Sequence, residues 1–234
     1  MMNPRQVRFP LGHQVAMETL HRNPYPFFQR LLADEPVSWV AAAGMWYVAP
    51  RQDVIDVLHD AATYTVASPD NLIGDTFGAC MLSTEGAPQQ RYRQPFAAAL
   101  TPQRLRQQAA GELALLAESI IDEFASAGSV DLKPAFADRL ALLAVTHVLG
   151  LPLDDFAAMR GWYDAFARSL ANYTGDGGVR TAGHAAVASF TAYVLARRER
   201  IRAAAPQSLL AQLFEHPAHG LAEHEIIANL LVTI

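Results

Sequence analysis

Thr84-Glu85-Gly86-Ala87-Pro88-Gln89-Gln90-Arg91-Tyr92-Arg93-Gln94-Pro95-Phe96-Ala97-Ala98-Ala99-Leu100-Thr101-Pro102 reads as a helix arranged to hold an anion. Gly86 marks a turn, Pro88 a first helical position, and Glu85 suits the positive end of a helix dipole. Gln89 and Arg93 lie one turn apart on one face. Arg91 is about 200° of helix rotation from Arg93, so at most one of the two arginines shares a ligand with Gln89. The rigid donor fork of Arg93 suits a carboxylate or phosphate held bidentately. The competing reading makes both arginines solvated surface charges.

Composition narrows the classes around this segment. The chain has 234 residues and is 51% hydrophobic, enough for a large buried core. A formal net charge of -5 provides no basic field for nucleic acid. The single cysteine, Cys80, excludes an internal disulfide framework and fits a reducing cytoplasm. Arg5, Arg8, His13 and Glu18 interrupt the first residues, so they read as no signal peptide, and no apolar run is long enough to span a membrane. The expectation is a soluble, cytoplasmic protein with no nucleic-acid or membrane partner.

Upstream of the opening segment, Asn23-Pro24-Tyr25-Pro26 starts a helix carrying Phe27, Phe28, Leu31 and Leu32, which Glu35-Pro36 ends. Val37–Val40 and Met45–Val48 are rich in β-formers and predict a hairpin turning at Gly44. Pro50 then starts a helix with Val54, Val57 and Leu58 on one stripe, ending near His59. Ala67 to Ala79, rich in Pro, Asp, Asn and Gly, predicts a long ordered loop.

Downstream, helical periodicity dominates. Leu113, Leu116, Ile120, Ile121 and Phe124 share a stripe that Ala127-Gly128 stops. Phe136 to Leu149 is apolar nearly all round, and Gly150-Leu151-Pro152 closes it. Phe156, Met159, Tyr163, Phe166 and Leu170 define the next helix, ended by Gly175-Asp176-Gly177-Gly178. Further helices are expected over about Thr181 to Ala204 and Leu209 to Phe214. Ile226, Ile227, Leu230, Leu231 and Ile234 predict an amphipathic helix with no stop signal, one that continues past the last residue. There is no repeat and no composition shift, so residues 1–234 read as a single, incomplete domain, mainly α with a small N-terminal β-hairpin (α+β).

In this order the pieces resemble the N-terminal part of a bacterial cytochrome P-450, a heme-thiolate monooxygenase, ending early in the long central helix. The resemblance rests on the Asn-Pro-Tyr-Pro-Phe helix entry, the Pro-Val-Ser-Trp and Trp-Tyr-Val strands, and Met81-Leu82 leading into Gln89 to Pro102. Val130-Asp131-Leu132, Val148 to Pro152 and Glu225 to Leu231 complete it. It implies that Arg93 and Gln89 contact the propionates of heme b. Gln89 stands where the family carries His, so that contact loses its charge. Pro95 is a second departure, because inside a helix it removes a backbone donor. The resemblance also implies an apolar substrate pocket, for which Ile73, Phe77, Phe166, Leu170 and Tyr173 are candidates; core packing is the competing reading of the same stripe.

The family's thiolate iron ligand and its oxygen-activating residues would lie beyond Ile234, so no catalytic residue and no metal ligand is assigned within the chain. Cys80 has no basic neighbours and reads as a small buried hydrophobe. Ala222 stands where the family commonly has Ser or Thr, which leaves Glu225 without a capping-box partner, a loss of about 1 kcal/mol. The whole enzyme implied is one that inserts one oxygen atom of O2 into an apolar organic substrate, with electrons from a ferredoxin-type donor; the 1–234 chain alone is expected to be inactive. Two alternatives compete: a non-catalytic module for hydrophobic ligands, and a helical partner-binding module docking through Glu223 to Ile234. His216, His219 and His224 read as a solvated turn rather than a metal site, and His147 as a satisfied core histidine. No Gly-x-Ser-x-Gly elbow and no dinucleotide or Walker glycine motif occurs.

Overall fold

The computed structural model describes residues 8–206, 208–215 and 220–234, which fall into two compact units. The first holds the described residues up to Thr65 together with Asn172–Asp176. In it Val37–Val40 (β1) and Met45–Val48 (β2) pair antiparallel, Val37 opposite Val48 and Trp39 opposite Trp46. Gly44, in the left-handed region at φ 66°, closes the hairpin. Val40, Met45 and Tyr47 turn toward Leu20, Phe27 and Leu31, while Trp39 and Trp46 meet edge-on at 5.6 Å on the other face.

Four short helices surround this hairpin: α1 (Pro10–Gln14), α2 (Met17–Arg22), α3 (Tyr25–Asp34) and α4 (Arg51–His59). Phe27 and Leu31, one turn apart, are the buried residues of α3. Leu32 and Leu58 remain exposed, so neither apolar stripe is buried in full. The Glu35 carboxylate accepts the N–H groups of Leu11 (3.0 Å) and Gly12 (3.2 Å) and the Ser38 hydroxyl, satisfying donors that a first helical turn leaves free. That seat leaves no room at Gly12, where a Cβ would stand 2.4 Å from the Trp39 carbonyl oxygen and 2.2 Å from Ser38 Oγ. Gly12→Ala should therefore cost about 1–3 kcal/mol as overpacking against backbone. An unchanged urea midpoint in that variant would show that the contact relaxes freely.

The second unit, Val66–Ala171 with Gly177–Ile234, is helical. It comprises α5 (Leu72–Phe77), α6 (Gly86–Ala99), α7 (Pro102–Asp122), α8 (Asp138–Leu149), α9 (Phe156–Leu170), α10 (Gly177–Ala204), α11 (Leu209–Glu215) and α12 (Glu223–Leu231). A π-helical turn over Lys133–Ala137 leads into α8. Gly150 at φ 82° ends α8 with paired bonds, Gly150 N–H to His147 O and Leu151 N–H to Thr146 O.

The structure departs from the sequence expectations at three places. The Ala67 to Ala79 loop contains α5, because Asn71 Oδ1 caps it by accepting from Ile73 N (2.9 Å) and Gly74 N (3.2 Å). The helix ending at Leu149 is not buried all round: its buried positions are Leu142, Leu143, Thr146 and Leu149, a single face. The apolar face of α12 is not left open. Ile226 through Leu231 are all buried, and the apolar ones join Phe96, Phe190 and Leu210 in the core.

Phe190, fully buried, centres that core, with Trp162 at 5.4 Å, Phe166 at 6.1 Å and Tyr193 at 6.5 Å between ring centroids. The class is mainly helical with one two-stranded sheet, as expected. No described helix is long and apolar enough to cross a membrane.

Candidate functional site on helix α6

Helix α6 starts two residues before Pro88, at Gly86, with Glu85 as its N-cap residue. Pro88 is thus a third helical position, still within the turn whose N–H groups have no partner. Glu85 does not cap with its side chain but accepts the Val66 N–H at 2.7 Å. Tyr92 and Phe96 bury one side of the helix in the core. The helix runs through Pro95, which has no N–H to give the Arg91 carbonyl.

The two arginines have opposite surroundings. Arg93 is exposed, and no described residue offers it a carboxylate or carbonyl; Gln89, half-buried one turn earlier, is likewise without a polar partner among the described residues. Arg91 is engaged. It donates to the Gly220 carbonyl at 2.8 Å and forks onto both oxygens of Glu225, Nη1 to Oε2 at 3.0 Å and Nη2 to Oε1.

Glu225 accepts further bonds from Tyr92 Oη at 3.0 Å and the Ala222 N–H at 2.9 Å. This donor set, Arg91 first and then the Ala222 N–H and Tyr92, outweighs burial and holds its carboxyl at about 2, well below the usual range. Burial, then the bond to Glu225, pushes the Tyr92 phenol up, and the same carboxylate raises Arg91. Half of the capping box therefore survives: Glu225 reaches back to the N-cap N–H, while the Ala222 methyl returns nothing. Asn229, fully buried one turn on, accepts from Met81 N and donates to Glu225 O, both at 2.8 Å. Helix α12 thus grips both α6 and the segment leading into it.

Of the pocket candidates, Ile73, Phe77, Phe166 and Leu170 come together in the core of the second unit, Phe77 meeting Phe166 edge-on at 5.4 Å. Tyr173 belongs to the first unit and is half exposed. Helix α5 is tied down by the Thr76–Ser169 hydroxyl pair at 2.9 Å, by Arg180 on Asp75, and by His184 Nε2 at 2.8 Å from the Asp75 carbonyl oxygen. A cleft of about 240 Å³ adjoins Phe77, bounded by Tyr92 and Val187 on two sides and by Ile227 and Leu231 on α12. His224 and Glu225 also line it.

His216 and His219 lie outside the described residues, and His224 is exposed. His147 Nε2 meets Glu112 Oε2 at 3.1 Å. Cys80 is fully buried, its sulfur 3.4 Å from Ser83 Oγ. The sequence had no local signal for the Arg91–Glu225 pair, whose members stand 134 positions apart.

No family model matches the chain. Linalool 8-monooxygenase of Pseudomonas putida is 28% identical over 160 residues, covering 61% of this chain and 39% of that protein. Cytochrome P-450(MEG) of Priestia megaterium is 24% identical over 151 residues, covering 61% and 37%. Among solved structures, CalO2 superposes with a TM-score of 0.78 at 27% identity, over 91% of this chain and 55% of its own. P-450BioI, solved in complex with a fatty-acid-ligated acyl carrier protein, has the same fold, with a TM-score of 0.77 at 19% identity over 94% and 58%. The chain spans well under half the length of the curated relatives it matches.

Heme is the cofactor those relatives imply. Among the described residues the exposed guanidinium of Arg93 and the amide of Gln89 have no polar partner, which fits the propionates, whereas the one thiol of the chain is sealed in the core. Sequence likeness to a named monooxygenase and to a named cytochrome P-450, and a shared fold over nine tenths of its length, make this chain a partial-length relative of the bacterial cytochromes P-450.

Proposed function

We propose that the chain forms the propionate-holding and part of the substrate-holding portion of a heme monooxygenase, and that it is inactive by itself. The observation that carries this reading is the contrast on α6: Arg91 is engaged by Glu225 and Gly220, while Arg93 is exposed and has no anion among the described residues. A free arginine one turn from a free amide is the donor set a carboxylate pair needs. When bound, heme b would supply the redox chemistry that inserts one oxygen atom of O2 into an organic substrate. Arg93 and Gln89 would orient it by the propionates. The apolar cleft beside Phe77, with Val187, Ile227 and Leu231, would hold a small apolar substrate and exclude water. Electrons would come from a ferredoxin-type donor in the cytoplasm.

Titrating the 234-residue protein with hemin, followed by the Soret band, tests the reading. Arg93→Ala should weaken hemin binding about tenfold or more, because a charge-assisted hydrogen bond contributes about 1.5–3 kcal/mol. Hemin dimethyl ester, with its propionates blocked, should bind wild type and variant alike. Equal hemin affinity in wild type and Arg93→Ala would remove Arg93 from the site. The reduced, carbon-monoxide-treated complex should lack the absorption band of thiolate ligation, and its appearance would overturn the proposed inactivity.

A further inference from the structure

Helix α6 has a weak point at the turn that carries Arg93. Pro95 has no N–H, so the Arg91 carbonyl lacks its ladder partner, and the helix is one backbone hydrogen bond short at the turn that carries Arg93. Side chains flanking the gap make up for it. Arg91 and Tyr92, the residue that faces away from Arg93 and the one between them, both end on the same carboxylate, Glu225. That carboxylate is itself fixed from behind by the Ala222 N–H at the start of α12.

From this arrangement we infer that Glu225 is a positioning residue for the anion-binding face: by clamping Arg91 and Tyr92 across the Pro95 gap, it sets the direction in which Arg93 is presented. The inference rests on the reading of Arg93 as the propionate ligand and adds to it a residue on another helix, acting through α6. Glu225 would act through α6 rather than on an anion directly. Its four accepted hydrogen bonds leave it no capacity for another partner, and its engagement of Arg91 leaves Arg93 the one arginine of the pair open to an anion.

A double-mutant cycle on hemin affinity tests this, with far-ultraviolet circular dichroism confirming that each variant is folded at the temperature used. Glu225→Ala should weaken hemin binding about tenfold, and Glu225→Gln, which keeps an acceptor for Tyr92 but loses the charged fork, about threefold. In an Arg93→Ala background the same substitutions should change hemin affinity by less than about twofold, because a residue that acts through Arg93 has nothing left to position. Binding of hemin dimethyl ester should be insensitive to Glu225 throughout. If Arg93→Ala weakens binding while both Glu225 variants leave it unchanged, the positioning role is wrong and the propionate reading stands. Equal losses from Glu225→Gln with and without Arg93 would also overturn the role, showing a merely structural contact. If Arg93→Ala has no effect, the propionate reading falls, and this inference with it.

Discussion

Phe190→Ala should destabilise the protein by about 3–5 kcal/mol, against a total of about 5–15 for a typical domain. The ring is fully buried and sits among Trp162, Phe166 and Tyr193 on three sides. Removing it forfeits both its transfer free energy and the contacts of a cavity that helices α9 and α10 cannot close by sliding, since Gly183 is already jammed on Ser169. A Cβ at Gly183 would stand 2.5 Å from Ser169 Oγ. Phe190→Leu should recover much of the loss by refilling most of the volume. Urea unfolding followed by tryptophan fluorescence measures both. A loss under about 1 kcal/mol for Phe190→Ala would mean that the aromatic cluster is not the packed core described here.

Acid should strip the α6–α12 clamp in a defined window. The folded carboxyl of Glu225 is held at about 2, chiefly by Arg91, below its ordinary value of 4.5. Its contribution is therefore complete above about pH 4.5 and is lost as pH falls through about 2. Arg91 is two-fifths exposed, which screens the pair, so Glu225→Gln should cost about 2 kcal/mol at pH 7 rather than the several expected of a fully buried pair. The gap between wild type and variant should hold from pH 7 to 5, shrink below 4.5 and close near pH 2. A constant gap across that range would assign the loss to packing instead of charge.

Much of the architecture was legible because it is written in local spacing. The hairpin announced itself by two β-rich runs around Gly44, and α3 and α9 by periods of apolar residues with Pro or Gly near their ends. Helix α5 is hidden in the sequence because its six residues are too few to show a period, and its only signal, the Asn71 cap, has the composition of a loop. The early start of α10 at Gly177 has a related cause: its first-turn glycines read as a stop.

The candidate site divides along the same line. The pairing of Gln89 with Arg93 on one face, and the exclusion of Arg91 from it, follow from the pitch of a helix and needed no tertiary information. The fate of Arg91 did need it. Glu225 comes from a helix far along the chain, and no local rule relates two positions that meet only when α6 and α12 pack. Burial of α12 was equally invisible, since an apolar stripe has the same spacing whether it faces solvent, a partner or its own core. Sequence by itself determined which residues could share a helix face, because intrahelical geometry is fixed by covalent structure and one hydrogen-bond pattern. Only the tertiary structure decided which charges were already spent on each other and which, like Arg93, were left for a ligand, because electrostatic partners are chosen by distance in space.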